Sequence, residues 1–300
     1  MNPAPAQSAD YRTGLVYAAG CYLLWGVFPL YWYPLVGSSA GADWILAQRI
    51  VWSAVFSLAV LLFMKQGRSL LRAFADRRLL TVFSCSAAAI SANWLVYLWA
   101  VSRGRVLDAS LGYFMAPLIN ILFGRLFLGE PLGRTQLFSV ACAAAGIVWL
   151  AVPAGQMPWI SLMLAFSFGI YSLLRKRALL DALTGMTLET LLMQPFAAAY
   201  LWYAAQHGAI SFAALNALQT AVIIGSGAVT VIPLLLFAAA AKRISLSDLG
   251  MIQYLSPTMQ FVLGLALFHE TFDIHRFAGY AWVWLGVVVY AFGAVRRKAV

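Results

Sequence analysis

The chain has 300 residues, 63% of them hydrophobic and only 10% charged, against about 25% charged in an average soluble domain. A water-soluble fold could not cover that much apolar surface with polar groups. The excess of 20 Lys and Arg over 10 Asp and Glu does not point to nucleic acid, because the basic residues fall in short clusters between apolar runs and form no basic face.

Residues 1–12 form a polar, proline-rich N-terminal tail. It has no basic stretch ahead of the first apolar run and no clear small-residue cleavage site, so no removable signal peptide is read. A spanning helix needs about 20 mostly apolar residues. Ten runs are read as spanning: 13–34, 43–63, 79–101, 106–128, 137–152, 158–175, 187–206, 218–241, 245–268 and 275–295. The fifth and sixth are short and meet at the turn Pro153–Pro158, so they could also be one bent helix. Residues 296–300 are a basic tail.

Charge separates ten spans from nine. With the N-terminus in the cytoplasm, the inside segments hold Arg12, Lys65, Arg68, Arg72, Arg77, Arg78, Arg134, Arg175, Lys176, Arg177, Lys242, Arg243, Arg296, Arg297 and Lys298. The outside segments hold Arg103, Arg105 and Arg276, while Arg49 and Arg125 lie within helices. The positive-inside rule therefore favours ten spans with both termini cytoplasmic. Tyr31, Trp32, Tyr33, Trp44, Trp99, Trp159, Trp202 and Tyr203 crowd the expected interfaces. Cys21, Cys85 and Cys142 lie inside apolar runs and fit neither a metal site nor a disulfide framework.

The sequence repeats itself at an offset of 140 residues, without gaps, over Arg103–Glu130 against Arg243–Glu270. Asp108 aligns with Asp248, Pro117 with Pro257, Asn120 with Gln260, Gly124 with Gly264, Glu130 with Glu270 and, further on, Gly146 with Gly286. Each half then holds five helices, 13–152 and 158–295, and an odd number makes the second half enter from the opposite side. Inverted repeats of this kind place a binding site between the halves near the bilayer midplane. Pro117 falls about nine residues into its helix, roughly 14 Å deep in a ~30 Å core. Proline frees the carbonyl four residues back, on Tyr113, as Pro257 does for Gln253 and Pro233 for Val229. These three prolines are read as hinge or cavity formers, since a free carbonyl at that depth needs protein or cavity water.

Three stretches resemble the EamA branch of the drug/metabolite transporter superfamily: NWLVYLWAV (Asn93–Val101), DASLGYFMAPLINILFGRLFLGE (Asp108–Glu130) and TVIPLLLFAAAAKRISLSDLGMIQYLSPT (Thr230–Thr258). The likeness runs from about residue 12 to 295. It implies an all-α polytopic membrane protein of ten transmembrane helices in two inverted five-helix repeats, in a bacterial inner membrane. It also implies export of small organic solutes by alternating access. Neither the resemblance nor the residues fix the substrate. A membrane scaffold or sensor that moves nothing is the alternative.

No nucleotide loop of the G-x-x-x-x-G-K-[ST] type is present. A membrane hydrolase would need a nucleophile and a base inside the bundle; His207, His269 and His275 all fall in connections, and Ser226 has no histidine at its depth. No enzyme, metal or cofactor is therefore expected, and the partners are the bilayer and a small solute, for a monomer. Asp43, Asp108, Glu189 and Asp248 are read as helix-start carboxylates held by the dipole, and Glu130 and Glu270 as helix-end carboxylates held by basic groups.

Arg49 lies about two turns into the second span, where it either snorkels outward or faces a cavity with a fork for carboxylate or phosphate. The resemblance implies an arginine here as a family feature. Asn93 and Tyr97 share a face of the third span with Trp94 nearby, and Tyr113, Asn120, Gln253, Tyr254 and Gln260 come from the proline-bearing helices. Together with Arg49 they are the candidate substrate contacts, a mostly apolar pocket with sparse amides. For each single amide, a bond between helices is the competing reading.

Overall fold

The structure is a computed structural model that describes residues 5–35, 38, 40–102, 106–151, 159–208, 212–266 and 274–298. Arg103, Arg105, the Pro153–Pro158 turn, His269, Glu270 and the side chains of Asp108, Arg276, Arg296, Arg297 and Lys298 lie outside what is described.

Every element assigned among these residues is helical. In chain order they are α1 (Pro5–Gly26), α2 (Phe28–Trp32), a 3-10 turn (Tyr33–Leu35), α3 (Ala42–Phe63), α4 (Gly67–Ala75), α5 (Arg77–Ser102), α6 (Val106–Leu128), α7 (Arg134–Ala151), α8 (Trp159–Arg177), α9 (Ala182–Gln206), α10 (Ala217–Arg243), α11 (Leu246–Gln253), α12 (Leu255–Ala266) and α13 (Ile274–Lys298). Helices fall on all ten apolar runs. Five of them, α3, α5, α6, α7 and α10, hold a described stretch long and apolar enough to cross a membrane. They become six if α1 and α2, bent by 40° at Val27, count as one span. The others fall short for visible reasons: α8 ends in Arg175, Lys176 and Arg177, α9 carries Thr184, Thr187, Glu189 and Thr190, and the ninth run is broken. Helices α7 and α8 are separate, α7 packing chiefly on α13 and α8 chiefly on α6 and α5.

Three local features differ from the sequence reading. Pro29 sits in the first turn of α2, where its missing N–H costs nothing, and the chain bends just before it. Pro257 acts likewise: the ninth run breaks at Tyr254, and Pro257 becomes the third residue of α12. Its equivalent Pro117 leaves α6 unbroken. The third feature is α4, whose Leu70 and Ala73 are buried while Arg68, Leu71 and Arg72 are exposed, an amphipathic helix too short to span.

Packing follows the repeat. Let α1, α3, α5, α6 and α7 correspond in order to α8, α9, α10, α11–α12 and α13. The pairs α3–α9, α6–α11 and α7–α13 then map onto themselves. The pair α1–α10 maps onto α5–α8, α3–α10 onto α5–α9, and α6–α8 onto α1–α12, and all are in contact. The α7–α13 contact is reciprocal at residue level. A Cβ on Gly146 would lie 2.6 Å from the Gly279 carbonyl oxygen, and one on Gly286 would lie 2.6 Å from that of Ser139. Gly146 and Gly286 are equivalent at the 140-residue offset, and so are Ser139 and Gly279. Gly293 meets Thr135, while Trp149 Nε1 donates to the His275 carbonyl at 3.1 Å, so numbers rise on α7 as they fall on α13 and the pair is antiparallel.

Basic side chains close the C-terminal ends of helices. Lys176 Nζ donates to the carbonyls of Ala241 (3.0 Å) and Ile244 (2.5 Å) at the end of α10, and Arg177 donates to Phe127 at the end of α6. Each supplies charge where the helix dipole is negative. Gly129, at φ 64°, ends α6, and the Glu130 N–H bonds back to Gly124 at 3.0 Å. That turn delivers the Glu130 carboxylate to the N-terminus of α11, where it accepts from Leu246 N (2.7 Å), Ser247 N (3.0 Å) and Ser247 Oγ (2.8 Å). Glu130 is thus held by a second helix's amides, with the basic group that the sequence suggested, Lys176, near enough to feel its charge. Asp248 keeps its first-turn place on α11 and also accepts from Tyr11 (3.1 Å) and Tyr290 (3.0 Å).

The reciprocal contact makes a sharp prediction. Gly146→Ala and Gly286→Ala each push a methyl into a backbone carbonyl, and each should cost about 1–3 kcal/mol, by similar amounts. Thermal unfolding of the detergent-purified variants measures this; a neutral result at either position would break the equivalence.

Candidate functional site

The candidate site is built around Arg49. On α3 and α10, Trp44 packs with Val222 and Ile223, and a Cβ on Gly227 would touch the Trp52 carbonyl. The two helices therefore run parallel, and Arg49 starts between those levels. Its Nε donates to Thr230 Oγ1 at 2.6 Å, three residues beyond Gly227. The side chain thus reaches away from the Trp44 end and into the bundle, which excludes snorkelling towards that end. The guanidinium lies 4.6 Å from the Trp94 ring centre and 6.0 Å from that of Phe28, within cation–π range. Tyr97 and Tyr113 are near enough to feel its charge, and their rings are 5.6 Å apart. Tyr97 is 40% exposed, so this aromatic wall reaches the protein surface. Among the described residues no carboxylate pairs with Arg49, and its two terminal nitrogens have no hydrogen-bond partner, yet neither is sealed from the surface.

The sequence's candidates divide here. Arg49, Trp94, Tyr97 and Tyr113 come together. Asn93 turns the other way: it is 1% exposed and its Nδ2 donates to the Leu164 carbonyl (2.8 Å) and to Ser167 Oγ (3.0 Å) on α8. Asn120 Nδ2 donates to Gln253 Oε1 at 2.9 Å, joining α6 to α11, and Tyr254 is buried against Phe114 with ring centres 6.4 Å apart. Gln260 Nε2 donates to the Trp25 carbonyl at 3.1 Å, tying α12 to α1. These amides make the bonds between helices that were the competing reading. Pro117 is buried at the α6–α11 contact, its carbonyl 2.7 Å from where a Gly250 Cβ would be. Pro233 helps line a cavity of about 230 Å³, with Leu24, Val27, Phe28, Tyr31, Val229 and Ile232, at the α1–α2 bend.

Two groups escaped the sequence reading. Thr230, buried on α10, holds Arg49. The other is an ion pair away from Arg49: Arg175 and Glu189 are each 1% exposed, with Nη1 to Oε1 at 3.5 Å. Ser86 Oγ donates to the same Oε1 at 2.5 Å, and Arg175 Nη2 donates to the Ala182 carbonyl at 3.2 Å while the guanidinium faces Phe83. Among the described residues Glu189 Oε2 has no hydrogen-bond partner. Glu189 lies two turns inside α9, beyond reach of that helix's N-terminus, which Asp181 caps through Leu183 N and Thr184 N. The reading of Glu189 as a helix-start carboxylate is therefore corrected: its partner is Arg175.

The model of the EamA-like transporter family matches residues 12–152. The protein RarD of Streptomyces exfoliatus is 43% identical over 291 residues, covering 96% of this chain and 90% of its own. The chain belongs to the EamA-like transporter family. Other relatives include YojE of Bacillus subtilis (strain 168), named an uncharacterized transporter, at 39% identity over 296 residues, 97% of this chain and 98% of that one. RarD of Escherichia coli (strain K12) is 35% identical over 285 residues, 95% of each chain. One solved crystal structure shares the fold at a TM-score of 0.72 and 18% identity, covering 95% of this chain and 98% of that one. Family names and apolar helices together mark a bacterial membrane protein of a transporter family, and point away from an enzyme.

Removing one partner of a buried pair strands the other charge, which typically costs about 3–5 kcal/mol, whereas replacing both by apolar groups is often neutral. Glu189→Gln alone should therefore lower the thermal unfolding midpoint sharply, and the Arg175→Met/Glu189→Met double variant should recover most of the loss.

Proposed function

We propose that this protein is a secondary transporter that exports small organic solutes across the bacterial inner membrane, by alternating access between two inverted five-helix repeats. The observation that carries the reading is the Arg49 cluster of side chains. It holds a charge with open donor atoms where α3, α5 and α6 of one half meet α10 of the other. A charge inside the membrane is costly and ordinarily marks a path or binding site. Family membership supports movement of a solute as its purpose.

The inverted arrangement draws support from the exchange of packing pairs and from the antiparallel, reciprocal α7–α13 contact. Five helices per half would carry the second half across in the opposite sense, giving ten spans with both termini cytoplasmic. Lys176 and Arg177, at helix C-terminal ends, then lie on the cytoplasmic side with the other basic clusters. The two halves meet at Arg49 and Thr230, so rocking one against the other would expose Arg49 to alternate sides. The protein acts as a monomer in this scheme.

The experiment is flux in liposomes containing the purified chain, with a panel of labelled amino acids and antibiotics. The expected outcome is saturable, protein-dependent movement of at least one compound, lowered at least tenfold by Trp94→Ala. Absence of protein-dependent flux across the panel would favour a scaffold or sensor.

A further inference from the structure

We infer that the Arg49 cluster takes an organic oxyanion with an apolar or aromatic body, a carboxylate or a phosphate ester. This deepens the transporter reading and rests on it for the word substrate, though not for the site itself. A guanidinium has two faces and two donor edges. Arg49 Cζ stands over the Trp94 ring, 4.6 Å from its centre, and Thr230 Oγ1 takes the Nε–H at 2.6 Å. The end carrying Nη1 and Nη2 remains, a parallel pair of N–H donors that matches the two oxygens of a carboxylate or phosphate. No described carboxylate competes for it. The contrast with Arg175 is informative, since that buried arginine has its carboxylate in Glu189.

Aromatic walls alone would suit a cation equally well. The fixed charge of Arg49 inside those walls repels a cation and leaves an anion as the ligand that neutralises it. Trp94, Tyr97, Tyr113 and Phe28 then supply the surface against which the ligand's apolar body is buried. Thr230 is a positioning residue, because it fixes the fork's orientation without touching the anion.

The test uses the full-length protein and three probes with the same body: 3-phenylpropionate, 3-phenylpropionamide and 3-phenylpropylamine. Equilibrium binding is measured in nanodiscs of phosphatidylcholine with and without phosphatidylglycerol, and uptake is measured in liposomes. Wild type should bind the anion at least tenfold more tightly than the amide and should bind the amine least. Arg49→Gln should abolish the preference for anion over amide, Arg49→Lys should keep only part of it, and Thr230→Val should weaken the anion severalfold while leaving the amide unchanged. Unfolding midpoints show which variants are folded, and if Arg49→Gln is not, Arg49→Lys and Thr230→Val decide. Equal binding of anion and amide by wild type would overturn the inference, as would a preference that survives Arg49→Gln. Loss of the anion's binding on adding phosphatidylglycerol would assign the fork to a lipid headgroup and overturn it too. Arg49-dependent binding without uptake would keep the site and remove the transporter reading; uptake of the amide or amine independent of Arg49 would do the reverse.

Discussion

A charge or a free backbone group held in hydrocarbon needs a partner that only the protein can supply. The helix ends of this chain show how that demand is met. Carbonyls at the end of α10 receive Lys176, those at the end of α6 receive Arg177, and the amides opening α11 receive Glu130. Each bond also ties elements from different parts of the chain. The Arg177 and Glu130 contacts, which cross from one half to the other, therefore also hold the two halves in register. Deeper in, Arg175 and Glu189 form an ion pair across α8 and α9. Arg49 departs from the pattern, with a hydroxyl and aromatic rings around it but no counter-ion among the described residues. Its open donors make sense where water or a ligand enters.

Close backbone approach does the rest of the assembly. Apolar side chains give little preference for one another over lipid tails, so tight helix contact in a membrane depends on small residues. Gly146, Gly279 and Gly286 let α7 and α13 meet at backbone distance, and Gly227 does the same for α10 against the Trp52 carbonyl. Gly112 and Gly169 admit α8 to α6. Glycine thus sets which helices touch, and polar bonds set how they are turned.

Much of this was legible in the sequence because it depends on spacing. Long apolar runs fix the helices, and the 140-residue offset pairs Pro117 with Pro257 and Gly146 with Gly286. Arg49 stood out as a charge inside such a run. Properties that depend on direction were not legible. Asn93 and Tyr97 share a helix face in sequence, yet the asparagine bonds to α8 while Tyr97 stacks on Tyr113. The pair Asn120 and Gln253 is 133 residues apart, and nothing local announces that they meet. Glu189 resembled a helix-start carboxylate because the start of α9 was placed too late; Asp181 caps that helix two turns earlier. Equivalent prolines also act differently: in α6 Pro117 is tolerated within an intact helix, whereas Pro257 opens a new one.

The account rests on two halves that cross the bilayer in opposite senses. Single-cysteine labelling tests this most directly, in a chain whose Cys21, Cys85 and Cys142 have been replaced. Reporters at exposed positions Arg68, Leu179 and Gln206 are treated with a membrane-impermeant maleimide, first on intact cells and then on opened membranes. The account predicts labelling of Gln206→Cys from outside, and of Arg68→Cys and Leu179→Cys only once the cytoplasmic face is accessible. Finding Arg68→Cys and Leu179→Cys on opposite sides of the membrane would contradict it.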